Sequence, residues 1–227
     1  MNNDTPYAVR NTQTPYSVLR SPYDIYFVGV GGQGILTIGE IITEAAFRSG
    51  IPVNFYPTKG MAQRGGFVKA QLRIGREGVG PSIPEKGADL VIATEVSEAL
   101  KVVRFVKPGG DFVLYGTVWE PTAVMMGKAP YPTLDQVFGA VQEAGGKLHH
   151  IAPESLPLYE GAPVPDNVYT LGVALARTRL SDVLDVPAVT EVIRTRWKRG
   201  VERNQFAFRA GLEVGEQGQG RQVAGNT

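Results

Sequence analysis

Tyr23-Asp24-Ile25-Tyr26-Phe27-Val28-Gly29-Val30-Gly31-Gly32-Gln33-Gly34 is the stretch on which the fold turns. Its first half is a short run of apolar, aromatic and β-branched residues, the pattern of a strand buried on both faces. Its second half is a glycine-rich turn of the form G-x-G-x-x-G. Ile35, Ile38, Ile42 and Ala45 then recur at helical spacing, and Ser49-Gly50 gives a stop. A strand, a glycine loop and a helix in that order open a doubly wound α/β fold.

Outward from this unit the chain continues to alternate. Strands are expected over Ile51–Tyr56, Phe67–Ile74, Ala88–Ala93, Asp111–Tyr115 and Lys147–Ile151. Phe67, Lys69 and Arg73 interleave with Val68, Ala70 and Leu72, which predicts a half-exposed strand. Helices are expected over Ser97–Val106, ended by Lys107-Pro108-Gly109-Gly110, and over Leu134–Ala144, ended by Gly145-Gly146. Later helices fall at Val168–Leu180, with Asp166-Asn167 as a capping pair, and at Ala188–Arg199 and Val201–Gly211. This order predicts a mostly parallel sheet with helices on both faces and a helical C-terminal part. Residues 1–22 are a polar arm, residues 23–213 the α/β domain, and residues 214–227 a polar tail.

Composition removes several functions. Of 227 residues, 43% are hydrophobic and 20% charged, the balance of an ordinary globular protein. The net charge of +1 gives no electrostatic reason to expect nucleic acid as a partner. No apolar run predicts a membrane span and no N-terminal apolar segment predicts a secretory signal, so the cytoplasm is the expected compartment. The chain has no cysteine, hence no disulfide, no thiolate zinc site, no cysteine nucleophile and no Cys-ligated iron–sulfur cluster. Its two histidines are the adjacent His149 and His150, expected on opposite faces of one strand, one buried and one exposed, with no metal site between them.

The glycine loop admits three readings. A nicotinamide or flavin dinucleotide site expects an acid about 20 residues further on to hold the ribose hydroxyls; Val53-Asn54-Phe55-Tyr56-Pro57-Thr58-Lys59 has none. An adenylating enzyme of the ubiquitin-activating type would carry zinc-binding cysteine pairs, also missing. The third reading is that the glycines only let the first helix pack closely on the sheet.

A second motif follows the second strand: Lys59-Gly60-Met61-Ala62-Gln63-Arg64-Gly65-Gly66. The pair of motifs resembles the gamma subunit or gamma domain of 2-oxoacid:acceptor oxidoreductases, a family that includes pyruvate:ferredoxin oxidoreductase and the indolepyruvate oxidoreductase beta subunit. Asp166-Asn167-Val168-Tyr169-Thr170-Leu171-Gly172 and Val201–Gly211 also resemble the family's closing helices, and the likeness runs from Tyr23 to Glu213. The resemblance implies a subunit that is not active alone. Thiamine diphosphate with magnesium and the 4Fe-4S clusters are implied for partners: thiamine-binding alpha- and beta-type subunits, a ferredoxin-like iron–sulfur subunit, and an NAD(P)H- or flavin-bearing subunit where NAD is the acceptor. The absence of a GDG…N segment here agrees with that division. The implied reaction is oxidative decarboxylation of a 2-oxoacid to an acyl-CoA, with an aryl acid such as indolepyruvate or phenylglyoxylate favoured, and this chain is implied to help bind coenzyme A. A stand-alone dinucleotide-binding module is the alternative.

The residues expected at such a ligand are Gly31, Gly32, Gln33 and Gly34 of the first loop and Lys59, Gln63, Arg64 and Gly65 of the second, with no catalytic and no metal-binding residue. Arg64 and Lys59 are cations suited to a phosphate. Thr94 and Glu95 join them because they follow a strand's carboxyl end, where open α/β sheets bind ligands. Glu95 reads equally as an acid placed by a helix dipole. Asn167 reads as a helix cap, and Arg194, Arg196, Lys198 and Arg199 as a basic cluster that solvates a helix face or meets an acidic partner.

Overall fold

A computed structural model describes residues 22–59 and 66–222. Strand β1 (Tyr23–Val30) is buried along its whole length. The glycine turn leads into helix α1 (Ile35–Arg48), which buries Ile35, Ile38, Ile41, Ile42, Ala45 and Ala46 along one face. Strands β2 (Val53–Lys59) and β3 (Phe67–Ile74) follow, then β4 (Ala88–Ala93), α2 (Val96–Val102) and β5 (Val106–Tyr115). A short turn of helix α3 (Thr122–Met125) precedes α4 (Leu134–Glu143) and β6 (Lys147–Ile151). A two-residue-per-strand hairpin, β7 (Leu158–Tyr159) and β8 (Ala162–Pro163), precedes α5 (Asp166–Arg177), α6 (Val186–Arg196) and α7 (Val201–Gln222).

The six-stranded sheet has the order β2-β3-β1-β4-β5-β6. Pairings β1–β4, β4–β5 and β5–β6 are parallel, whereas β3 runs antiparallel to both β1 and β2. The expected α/β architecture is therefore present, with one reversed strand. β1 lies in the middle with helices on both faces, which explains its unbroken apolar sequence. Pro57 lies within β2, an edge strand, where its missing N–H costs no ladder bond on the open side.

Each face of the sheet carries its own apolar layer. Ile25 and Phe27 of β1 and Val68, Ala70, Leu72 and Ile74 of β3 pack under α1, α5, α6 and α7. Tyr26 and Val28 point the other way, with Val91, Phe112 and Leu114, under α2 and α4. Asp24 and Arg73 stand directly opposite in register. Arg73 makes a two-pronged pair with Asp24 at 3.0 and 2.9 Å, and the hydrogen bond to the Asp24 carboxylate raises the pKa of Arg73. Among the described residues no helix is long and apolar enough to cross a membrane.

Four local expectations are corrected. The helix after β4 ends at Val102, a single 3₁₀ turn covers Val103–Phe105, and Lys107-Pro108-Gly109-Gly110 lies inside β5 rather than ending a helix. Ala88 pairs with Val106 but Leu90 with Asp111, so those residues are extruded as a bulge. Gly109, at φ 78°, takes the bend, and its N–H donates to the Gly145 carbonyl at 2.8 Å. Helix α5 starts at Asp166 with Pro165 at the cap position, so Asn167 lies in the first turn and does not cap. Both histidines are half-buried, not one buried and one exposed. Helix α7 also runs past Gly211, to Gln222.

The C-terminal helices hold together through a close backbone approach. A Cβ on Gly172 would stand 3.0 Å from the Gly211 Cα, and one on Gly211 would stand 3.0 Å from the Val173 backbone nitrogen. Neither neighbour can yield, because both belong to helix backbone. Gly211→Ala is expected to destabilise the protein by about 1–3 kcal/mol or more, the usual cost of overpacking, read as a lowered midpoint in urea denaturation.

Candidate functional site

At the carboxyl end of β1 the chain must turn sharply to start α1. Gln33 N–H closes the turn on the Val30 carbonyl at 3.2 Å. Gly34 caps α1 in the left-handed region, at φ 66°. A side chain there would also collide with Asn167, whose Nδ2 donates to the Gly34 carbonyl at 3.3 Å. Asn167 thus fastens α5 to the glycine loop.

The side chain of Gln33 turns inward. Its Oε1 accepts from Val30 N at 2.9 Å and from Thr94 Oγ1 at 2.8 Å, while its Nε2 donates to Thr117 Oγ1 at 2.7 Å. Thr117 Oγ1 in turn donates to the Thr94 carbonyl. The ends of β1, β4 and β5 are therefore joined through one amide. The arrangement requires glycine at position 29, because Thr94 Oγ1 lies where a Cβ would be.

Glu95 is completely buried and caps α2. Its Oε2 accepts from Glu98 N at 2.8 Å and Ser97 Oγ at 2.9 Å. Its Oε1 accepts from Trp119 N at 3.3 Å and from the Tyr131 hydroxyl. Burial and the hydrogen bond to Glu95 push the Tyr131 phenol well above its ordinary pKa, so it remains a donor. Of the two readings of Glu95, the cap is the one its contacts describe.

The site residues expected from sequence thus separate into two sets. Gln33, Thr94 and Glu95 come together at this edge, but their side chains bond one another and the β5–α4 segment. Of the loop glycines, Gly32 is exposed and Gly31 and Gly34 are half-buried. Helix α1 has no side-chain cap and no acid in its first turn, so its N-terminal N–H groups favour an anion. Gly31 N–H donates to the Gly66 carbonyl at 2.8 Å, which ties the last residue of the second motif to the first loop. Gln63, Arg64 and Gly65 lie outside the described residues, as does the Lys59 side chain. The Lys59 backbone pairs with Val68 on β3.

Sequence reasoning missed Thr117, Tyr131 and the contact made by Asn167. None belongs to a motif, and each is found only once the strands are in register. The two histidines take separate roles. His149 Nε2 lies 2.9 Å from Asp111 Oδ1 at the opposite end of the sheet. His150 stands edge-on to Phe138 and beside Gly116, and burial lowers its pKa. Among the described residues no three acidic or histidine side chains are grouped to hold a metal. In the basic cluster, Arg194 pairs with Glu191 at 2.7 Å and Arg196 pairs with Glu40.

Gln33→Ala removes the acceptor for the Val30 N–H and the Thr94 hydroxyl together. It is expected to cost about 1–3 kcal/mol in chemical denaturation, the expense of leaving buried polar groups unpaired; an unchanged midpoint would contradict the inward role.

Residues 24–214 match the family described as pyruvate ferredoxin/flavodoxin oxidoreductase. The indolepyruvate oxidoreductase subunit IorB of Thermococcus kodakarensis is 36% identical over 197 residues, covering 86% of this chain and 96% of that protein. Pyruvate oxidoreductase subunit PORC of Thermotoga maritima has the same fold, with a TM-score of 0.61 at 21% identity, covering 86% of this chain and 97% of that one. A 2-oxoglutarate:ferredoxin oxidoreductase from Magnetococcus marinus, solved with 2-oxoglutarate, coenzyme A and succinyl-CoA bound, contains the fold as 32% of its chain, with a TM-score of 0.56 at 20% identity over 87% of this chain. The match over residues 24–214, together with a relative 36% identical over 197 residues, places the chain in the pyruvate ferredoxin/flavodoxin oxidoreductase family, as a gamma-type component.

Proposed function

We propose that this chain is the non-catalytic gamma-type subunit of a cytoplasmic, thiamine diphosphate- and iron–sulfur-dependent complex. That complex oxidatively decarboxylates an aryl 2-oxoacid such as indolepyruvate to its acyl-CoA. The chain's part is to complete the assembly and to help hold coenzyme A. The observation that supports the reading is the bond from Gly31 N–H to the Gly66 carbonyl, which ties the last residue of the second motif to the loop before the uncapped start of α1.

The site's chemistry fits a phosphate ester. The N–H groups at a helix N-terminus are complementary to anionic oxygens, and Lys59 and Arg64 of the second motif would add two cations. Glu95, a carboxylate at this edge that would repel such oxygens, is buried and bonded to four donors. The residues that would hold the ligand are the backbone of Gly32 and Gly34 with the side chains of Lys59 and Arg64. Coenzyme A supplies the thiol that accepts the acyl group; this chain would only bind and orient its phosphates. With no cysteine, the chain offers no thiolate to a cluster, so electron transfer falls to partner subunits. The indolepyruvate relatives support an aryl substrate, and the coenzyme A-bound relative makes that ligand the first to test.

The purified chain alone, given an aryl 2-oxoacid, thiamine diphosphate and coenzyme A, is expected to reduce no dye; robust turnover would overturn the assignment. In the reconstituted complex Arg64→Ala is expected to raise KM for coenzyme A about tenfold or more, with kcat little changed, as loss of a charge-assisted contact requires. An unchanged KM would remove Arg64 from the ligand. Tight NADH binding by the isolated chain would favour a dinucleotide module instead.

A further inference from the structure

On the sheet face under α2, a groove of about 230 Å³ lies between that helix and β3. Its floor is apolar: Tyr26 and Val28 of β1, with the Phe105 ring stacked on Tyr26 at 4.4 Å between centroids. Phe67, at the mouth, is 45% exposed, although it is the first residue of β3 and lies opposite Val30. The rim carries Lys69, Lys101 and Arg104 with one lining carboxylate, Glu98. Lys101 pairs with Glu98 at 2.7 Å and Arg104 with Glu85 at 3.5 Å, which leaves Lys69 as the rim cation to be met. Among the described residues no carboxylate lies within ion-pair distance of Lys69, which is half-buried.

A half-buried lysine with no carboxylate partner among the described residues, beside exposed aromatic surface, offers a charge that a partner's carboxylate can meet. We propose that this groove is a docking surface for an acidic, apolar segment of the complex's thiamine-binding subunit. A carboxylate of that segment meets Lys69, and an adjoining aromatic or aliphatic side chain covers Phe67 and the Tyr26–Phe105 stack. The choice of occupant follows from charge. Residues 1–21 carry Arg10 and Arg20 against Asp4 alone, and residues 215–227 balance Glu216 with Arg221, so neither terminus of this chain complements the rim. Position supports the same occupant: Phe67 follows Gly66, the residue bonded to the glycine loop, so a segment docked here reaches the edge where the two motifs meet.

The proposal rests on the assignment as a complex subunit, and the test separates the two. The wild-type chain and its variants would be titrated against the co-expressed, purified thiamine-binding subunit by biolayer interferometry at low and high salt, with CoA kinetics measured on each reconstituted complex. Lys69→Glu is expected to weaken association about tenfold or more at low salt and to flatten its salt dependence, with Lys69→Gln between it and wild type. Lys101→Glu, on the exposed helix side, repeats the test should Lys69→Glu lower the melting temperature. Normal wild-type assembly and turnover with no change in either charge reversal would overturn the docking surface alone. A raised KM for coenzyme A at unchanged subunit affinity would also overturn it, making the groove a small-anion site. Variants that alter only self-association of the lone chain would overturn it in favour of a second copy. Failure of the wild-type chain to bind the partner at all would remove both the surface and the assignment.

Discussion

The carboxyl edge of the sheet depends on one missing atom, the Cβ that Gly29 lacks. Thr94 Oγ1 occupies that position, and only from there does it reach Gln33 Oε1 at 2.8 Å. Strands that end side by side in a buried layer leave N–H groups and hydroxyls needing partners. A single glutamine amide meets that need for three strands at once. The conformation of the glycine loop is thereby set by the interior and not by whatever binds outside it.

That arrangement separates holding from presenting. Side-chain polarity at the edge is directed inward, and the backbone at Gly32 is exposed. A loop fixed in this way loses little entropy when an anion arrives, which is the advantage of preorganisation. Glu95 follows the same logic. A free carboxylate at this position would oppose a phosphate; bonded to Glu98 N, Ser97, Trp119 N and Tyr131, it instead ties α2 to the segment after β5.

What could be read from the sequence was what periodicity and burial jointly determine. β1 and β4 are buried on both faces and appear as unbroken apolar runs, so both were legible, as was α1 from its isoleucine spacing. β3 was legible as half-exposed, but alternation carries no direction, and its reversal shows only in the pairing of Tyr23 with Ile74. Lys107-Pro108-Gly109-Gly110 was read as a helix stop because proline and glycine punctuate helix ends and β-bulges alike; pairing with Ala88 and Leu90 decides which. The glycine motif identified a turn but not where its variable residue points, so Gln33 was expected at a ligand. Asn167 follows the pattern of a cap, yet Pro165 starts the helix first and turns the amide toward Gly34.

The same comparison explains why a chain with a dinucleotide-like opening need not hold a dinucleotide. The fold requires glycine at 29 and 34 for contacts with Thr94 and Asn167, irrespective of any ligand. Those glycines would be retained by packing alone, so the motif by itself says little about what is bound. The discriminating group in a dinucleotide site is the acid that holds the ribose, and β2 ends instead in Pro57, Thr58 and Lys59. A strand that ends in Lys59 has no acid there to select a ribose.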